Sequence, residues 1–454
     1  MLSACMSDMA AWTGAERIGE DVHVHGVGID SRRLQPGQLF VALRGERADG
    51  HDFASEAVDN GAVALLVERA LDLPVPQLVR RDSQAALGLL AKGWRRRCAA
   101  RVIGITGSNG KTTVKNLAAA ILERVGPTHV NPGNLNNEIG LPLSLLALPR
   151  DARYCVLEMG AGKPGDIAYL ADIARPDIAL VNNVAPAHLE RLGSIEGVAE
   201  TKGAIYSALP ESGTAVINAD DAFAARFAER ARGRCQIRFG LDQPAEVWAE
   251  GVQPGTASSR FVLRTAQGQI TVALPLAGRH NVMNALAASA VAMAAGATLE
   301  ACGAGLARAE PVPGRMRRLS SAAGWTLVDD SYNANPASSA AAIDTLALEA
   351  GPTWLVLGDM AELGSAAGTL HRDIGELARR SGVARLYAVG PLSAAAVEAF
   401  GEGGRHLGSR EALIEALRDA LRPGVTVLVK GSRSAGMDQV VRALLPEGEV
   451  HHAA

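Results

Sequence analysis

"GITGSNGKTT" occupies Gly104 to Thr113. Apolar and β-prone residues at 102–106 lead into it, and residues 114–122, VKNLAAAIL, leave it with helical character. Strand, glycine-bearing turn and helix, in that order, are the setting of a phosphate-binding loop. Gly107 and Gly110 let backbone N–H groups around Ser108 and Asn109 converge on phosphate oxygens. The helix N-terminus adds a favourable dipole. Lys111 would neutralise the outer phosphates, and Thr112, followed by Thr113, would bring a hydroxyl to a magnesium ion. The strict pattern places glycine five residues before Gly110, where this chain has Ile105.

Working outward, strands are expected over 101–106, 154–159, 178–182, 214–218 and 236–239, alternating with helices. Largely apolar strands between helices imply a parallel sheet covered on both faces. Two β-prone runs, 260–263 and 270–274, flank a Gln-Gly turn and predict an appended antiparallel pair. "PVPG" at 311–314 is a plausible linker. Before residue 100, strands are expected at 22–29, 39–43 and 62–67 and helices at 53–59 and 83–94. "RRR" at 95–97 would mark an exposed helix end. Beyond the linker, strands at 326–329, 354–357, 386–389 and 426–429 predict a second parallel unit. The fold class is therefore α/β with three domains, at 1–99, 100–313 and 314–454, the central one carrying the phosphate loop.

A chain of 454 residues exceeds a single compact core. Its net charge of −3 comes from 45 basic and 48 acidic residues, so no basic excess points to nucleic acid or an anionic membrane. Aromatics at 4% weaken any base-stacking reading. Cys5, Cys98, Cys155, Cys235 and Cys302 are far apart, odd in number and without a Cys-x-x-Cys, which argues against a disulfide framework or zinc site and fits a reducing compartment. Asp8 and Glu16 near the start do not suit a signal peptide. The most apolar stretch, 285–297, falls short of the roughly 18 to 20 residues of a membrane helix. The expectation is a soluble cytoplasmic protein without membrane insertion.

Three further residues fall where a phosphate-loop sheet would use them. "VLEMGAG" ends its strand on Glu158, and ligands of parallel sheets sit beyond the carboxyl ends of strands. A carboxylate there suits a hard cation. "LVNNVAPAHLERLGS" presents His188 in a loop at the same edge, and Lys202 follows in the helical stretch "VAETKGAIYSALP". Taken alone, a strand-end acid is about as often simply solvated, and a loop histidine or a helix lysine is usually a surface residue.

"TGSNGKTT", "EMGA", "NNVAPAHLE" and "TKG", in this order and spacing, resemble the Mur ligase family, cytoplasmic ATP-dependent amide-forming enzymes of peptidoglycan precursor synthesis. That family tolerates a non-glycine at the Ile105 position. The similarity continues through "GIDSRRLQPGQLFVALRGERADGHDF" (28–53), "GRHNVMNALAA" (278–288), "DDSYNANPAS" (329–338), "LGDMAELG" (357–364) and "KGSRSAGMDQVV" (430–441). It implies an N-terminal UDP-binding domain, a central ATPase domain and a C-terminal Rossmann-like ligase domain. "NPGNLNNEIGLP" (131–142), "DSYNANP" and "LGDMAELG" resemble the branch that joins D-alanyl-D-alanine to UDP-N-acetylmuramoyl-tripeptide. The branch that adds the third amino acid usually carries Asp-Asn-Pro-Arg, which does not occur here.

The resemblance also implies roles. ATP would phosphorylate the tripeptide's terminal carboxylate, and the dipeptide amine would attack the acyl phosphate. Lys111, Thr112 and Glu158 would serve one magnesium ion and the β,γ-phosphates. His188 would ligate a second, and Lys202 would be carbamylated, an anion able to orient magnesium. Asn281 and Asn284, three apart on one helix face, match an adenine edge. Arg315 would reach the nucleotide when domains close, and Asp330 would accept from ribose hydroxyls. Asn134, Asn136 and Asn137 suit peptide or sugar recognition, and Ser31 and Arg32, with the loop 46–51, the UDP part. Asn333, Asn335, Arg433 and Ser434 would lie near the dipeptide or the γ-phosphate. The acceptor's third residue, diaminopimelate or lysine, is not readable, and a monomer is expected. The competing readings are a ligase adding the third amino acid, a folylpolyglutamate synthetase-like ligase, and a nucleotide-dependent switch that forms no product with an amine.

Overall fold

A computed structural model describes residues 1–445 and 451–452 of the chain. The spine of the central domain is the strand Arg101–Thr106. It pairs in parallel with Tyr154–Glu158 on one side and Ile178–Val181 on the other. Thr128–Val130 extends one edge. Thr214–Asn218, Cys235–Gly240 and Val247–Pro254 extend the other, and Ser259–Thr265 and Gly268–Leu274 complete a nine-stranded sheet in antiparallel fashion.

Alternation along the spine sorts its side chains to two faces. Ile103 and Ile105 pack with Val114 and Leu117 of helix Lys111–Leu122 and with Val282 and Leu286 of helix Arg279–Ala294. Val102 joins a core with Ile167 and Leu170 of Asp166–Ala174 and Ile205 of Ile195–Ser207. Ile105 is thus a fully buried core residue of the strand, so the phosphate loop proper begins only at Gly107.

The expected antiparallel pair is present, and its turn is the two residues Ala266-Gln267 between Thr265 and Gly268. A third strand, Val247–Pro254, went unread because Glu250, Gly251 and Gln253 interrupt its pattern; the register shifts there and Gly251 has φ +59°. Arg317–Ser320 was also not expected, since only Leu319 of its four residues is buried. It pairs antiparallel with Thr326–Asp330 inside a seven-stranded C-terminal sheet whose parallel centre is Thr353–Gly358 and Thr426–Lys430.

In the N-terminal domain the expected strand 22–29 is two strands. His23–His25 pairs with Ser3–Cys5, and Val27–Gly28 joins a five-stranded sheet. Gly26, at φ +90°, turns the chain between them. The arginines at 95–97 do mark the helix end, with Arg96 and Arg97 exposed, and they also make contacts. Arg95 is mostly buried and pairs with Asp177 at 3.1 Å, and Arg97 bonds Asp8 at 2.8 Å.

The N-terminal and central domains share one apolar core. Leu87, Leu90 and Trp94 of helix Ser83–Arg95 cluster with Leu141 and Leu145 of Gly140–Leu146 and with Ile167 and Ile173. Among the described residues, the C-terminal domain has two cores of its own, with no residue from the other domains. Among the described residues no helix is long and apolar enough to cross a membrane.

The helix behind the phosphate loop is held by close backbone approach. A Cβ at Gly305, in helix Leu299–Leu306, would lie 2.6 Å from Ile121 Cα and 2.7 Å from its N. Gly305→Ala should therefore lower unfolding stability by about 1–3 kcal/mol, read from urea melts; an unchanged midpoint would show that the two helices separate freely.

Candidate active site

The loop after the spine strand is shaped by neighbours rather than by its own residues alone. Gly107 and Gly110 adopt φ +151° and +78°. A Cβ at Gly110 would fall 2.3 Å from Asn284 Oδ1 and 2.6 Å from Asn182 Nδ2. Asn183 accepts from the backbone N–H of Ser108 through its carbonyl, at 2.9 Å, and from that of Asn109 through Oδ1, at 2.8 Å. Asn182 Nδ2 donates to Asn109 O at 2.9 Å and to Asn284 Oδ1 at 3.0 Å. The Asn182-Asn183 pair, which the sequence showed only as the run-up to His188, is therefore the scaffold of the phosphate loop.

Glu158, 2% exposed, ends the strand beside it. Thr112 Oγ1 donates to Glu158 Oε2 at 2.6 Å, and Asn136 Nδ2 donates to Oε1 at 2.7 Å. Burial opposes ionisation of this carboxyl. Lys111, the two hydrogen bonds and Lys115 more than offset it, so the group lies below the ordinary glutamate range. Burial, with Arg315 adding and Glu158 opposing, pushes the Lys111 ammonium down. Lys111 Nζ donates to the carbonyl of Gly107 at 2.9 Å.

Lys115, one helical turn on, was not anticipated. It is buried and donates to the carbonyls of Asn131, at 2.7 Å, and Gly133, at 3.2 Å, anchoring the asparagine loop to the phosphate-loop helix. Asn131, fully buried, accepts from Glu158 N–H at 2.9 Å and donates to Glu158 O at 3.1 Å. Among the three asparagines expected to recognise substrate, Asn136 therefore holds Glu158. Asn137 Oδ1 accepts from Gly140 N–H at 2.8 Å, and Asn134 is exposed outside the cavity lining.

Asn136 and Asn137 line one side of a cavity of about 800 Å³ between the central and C-terminal domains, whereas Thr112, Lys115 and Asn131 are outside its lining. Lys111, Glu158, His188, Asn281, Arg315 and Asp330 all reach it. His188 caps a short helix, Leu189–Leu192, from a left-handed backbone at φ +56°. Its Nδ1 lies 2.5 Å from Glu362 Oε2 of the C-terminal domain. Burial lowers its pKa, with Glu362 opposing and Lys202 and Lys111 adding. Lys202 is 2% exposed on helix Ile195–Ser207, where burial, reinforced by Lys111, brings its amine down to about 7.

The C-terminal domain closes on this edge through polar contacts. Arg315 Nη2 donates to Thr112 Oγ1 at 2.9 Å and stacks on Tyr332 with its guanidinium carbon 4.3 Å from the ring centre. Asn335 caps helix Pro336–Leu346, and its Nδ2 donates to Asn109 Oδ1 at 2.7 Å. Asp330 is ion-paired with buried Lys430 and accepts from Met316 N–H at 3.2 Å. Burial raises the Asp330 pKa, with Lys430 working against it.

Some expected residues stand elsewhere. Asn284 does not line the cavity. Its amide donates to Asn281 Oδ1 at 3.1 Å and its oxygen accepts from Asn182 at 3.0 Å, beneath the phosphate loop. Asn281 donates to Ala277 O at 2.8 Å and does reach the cavity. Asn333 lines the cavity, its Oδ1 accepting from Ala334 N–H at 2.9 Å. Arg433 and Ser434 are exposed outside the lining, with Arg433 lying 5.9 Å from the Tyr332 ring centre. Ser31 and Arg32 are not at this cavity either. Ser31 donates to Glu56 at 2.6 Å, and Arg32 pairs with Asp30 at 2.9 Å. In the loop 46–51, His51 Nδ1 lies 2.5 Å from Asp49 Oδ1 and its Nε2 accepts from Glu68 N–H at 2.9 Å.

The donor set suits magnesium. No three His, Cys, Asp or Glu side chains converge into a closed cage among the described residues. A carboxylate below its usual range and a threonine hydroxyl 2.6 Å apart suit an ion that takes its remaining ligands from phosphate and water.

Against known proteins, residues 23–94 match the Mur ligase family, catalytic domain; 105–292 match the Mur ligase middle domain; and 314–433 match the Mur ligase, glutamate ligase domain. The chain is 45% identical over 451 residues to the UDP-N-acetylmuramoyl-tripeptide–D-alanyl-D-alanine ligase of Escherichia coli (strain K12), covering 99% of this chain and 100% of that protein. Its fold is similar to a crystal structure of MurF from Acinetobacter baumannii, with a TM-score of 0.93, 34% identity and coverage of 98% and 99%. It is also similar to MurF ligase from Thermotoga maritima in complex with ADP, with a TM-score of 0.83, 30% identity and coverage of 93% and 97%.

The buried amine of Lys202 makes stability depend on pH. Its folded pKa is about 7 against 10.5 for an ordinary lysine, so between these values the unfolded chain binds the extra proton. The destabilisation is full below about pH 7 and fades as pH rises toward the unfolded value. In CO2-free buffer, Lys202→Met should gain more stability at pH 6 than at pH 9, by about 2–3 kcal/mol. Denaturant melts at the two pH values measure this, and equal gains would show that the amine is not buried.

Proposed function

The chain belongs to the Mur ligase family, and we propose that it joins D-alanyl-D-alanine to UDP-N-acetylmuramoyl-tripeptide with cleavage of ATP. The products are the UDP-linked pentapeptide, ADP and phosphate. The observation that carries this reading is Glu158, held between the phosphate-loop Thr112 and the asparagine-loop Asn136 in the wall of a cavity shared by two domains. One side of the cavity handles phosphates. The other belongs to a domain that can bring a second substrate.

The tripeptide's terminal carboxylate and the γ-phosphate are both anions, so their approach needs positive charge and fixed geometry. Lys111 moves from the loop carbonyls to the β,γ-phosphates, and Arg315 brings a second cation with the closing domain. A carboxylate oxygen attacks the γ-phosphorus, and ADP leaves. The dipeptide's amine then attacks the acyl carbon, the C–N bond forms, and the C–O bond to phosphate breaks. Surplus protons pass to solvent.

Thr112 and Glu158 would hold one magnesium ion, and His188 and Lys202 a second; the ions supply charge neutralisation on the transferring phosphoryl group. An ordinary lysine ammonium would repel such an ion. Lys202, with its amine near neutrality at pH 7, suits addition to CO2, which forms an N–C bond, releases a proton and turns the side chain into an anion. A monomer in the cytoplasm, where ATP and UDP-linked precursors are available, completes the reading.

Phosphate release by the purified chain should require both UDP-N-acetylmuramoyl-tripeptide and D-alanyl-D-alanine. Preference for a single amino acid would transfer the chain to another branch of the family, and equal ATP turnover without either substrate would remove the ligase reading. Lys202→Ala should lose about 100-fold or more in kcat, a size typical of a lost transition-state charge, and regain part of it with a short carboxylic acid. Full activity without rescue would exclude the carbamate.

A further inference from the structure

Four described residues other than glycine have positive φ: Arg175, His188, Met316 and Glu362. Such conformations are costly for L-residues and cluster where surrounding structure imposes them for function. Three of the four lie at the seam between the central and C-terminal domains, and two of these touch. His188, at φ +56°, places Nδ1 2.5 Å from Oε2 of Glu362, at φ +61°. The same two segments meet a second time, where Glu190 N–H donates to Glu362 O at 3.3 Å.

Stability does not account for this pairing. The two side chains are 32% and 37% exposed, and ion pairs so open to water contribute little. Orientation does. An imidazole that donates from Nδ1 to a carboxylate is fixed in tautomer and ring plane, and only Nε2 remains to bind a metal. The carboxylate comes from the domain opposite the phosphate loop, so this ring is fixed only when the two domains meet.

We propose that Glu362 is a positioning residue for His188, completing the second metal site from across the domain seam so that the site is assembled only in the closed enzyme. The proposal rests on the ligase reading and on His188 as a ligand in it. It couples the order of events to the fold: the phosphates are first cradled by the loop of the central domain, and the His188 ion is seated when the C-terminal domain brings Glu362.

The experiment uses the full chain and Mn2+ as the probe. Wild-type protein is first shown to form pentapeptide from D-alanyl-D-alanine; if it does not, the ligase reading fails, independently of this inference. Mn2+ binding is then followed by electron paramagnetic resonance with a non-hydrolysable ATP analogue and the UDP-tripeptide present. Wild type should bind two ions. Glu362→Ala should weaken one of them at least tenfold and lower kcat at least tenfold, with KM for ATP changed less than twofold. Glu362→Gly, which relieves the backbone but also lacks the carboxylate, should show the same defects. Glu362→Gln, whose amide oxygen still accepts from Nδ1, should keep kcat within about threefold and both ions. One ion in the wild type, two wild-type affinities in Glu362→Ala, or wild-type behaviour of Glu362→Gly would overturn the proposal.

Discussion

The arrangement of the central domain depends on one buried carboxylate. Glu158 is removed from water at the end of its strand, yet it is held ionised by Lys111, Lys115 and two hydrogen bonds. A buried charge of this kind persists only if its neighbours are fixed around it. Those neighbours come from the phosphate-loop helix and from the asparagine loop. Asn131 grips the backbone of Glu158 at both its N–H and its carbonyl, and Lys115 ties that loop back to the helix. Loop, strand and helix are thereby registered to one another before any nucleotide binds, the preorganisation that electrostatic catalysis requires.

The three domains are not equivalent joints. The first two are welded by a common apolar core through helices Ser83–Arg95, Gly140–Leu146 and Asp166–Ala174. Separating them would expose Leu87, Leu90, Trp94 and Leu145 to water, at roughly 1.5–3 kcal/mol for each large side chain. The third keeps its cores to itself, and at the cavity it meets the phosphate-loop edge through Arg315, Asn335 and Glu362. Polar contacts of this type are exchanged for water at small net difference. In the proposed reaction, closure on substrate would therefore move the C-terminal domain against a rigid pair.

What the sequence disclosed follows from how local each signal was. The phosphate loop, the spine strand and Glu158 were legible because periodicity and residue type coincide over a few positions. Ile105 departed from the strict pattern for a reason visible only in three dimensions: it is a core side chain of the strand, facing Val114 and Leu117. Val247–Pro254 and Arg317–Ser320 were missed because their polar residues and the Gly251 bulge mask strand alternation. Helix spacing puts Asn284 on one face with Asn281 but does not give its neighbour, which is Asn182, 102 residues away in sequence. Lys115 stood outside the quoted motifs, and Asn183 and Glu362 lay inside them without an assigned role; their roles come from contacts with residues distant in sequence.

A polar seam also has a chemical consequence in the proposed reaction. An acyl phosphate is open to attack by water as well as by an amine, and water is always in excess. The site must exclude solvent while that intermediate exists and then open to release a charged product. An apolar interface would seal well and open slowly. An open cleft would waste the intermediate. The seam here uses a few directional contacts on the nucleotide-binding edge itself, so the groups that hold the domains together, Arg315 on Thr112 and Asn335 on Asn109, are those that must rearrange when phosphates arrive or leave. Binding and release are in this way linked to the same contacts that open and close the site, and a change of ligand charge suffices to move a domain that no large apolar surface holds in place.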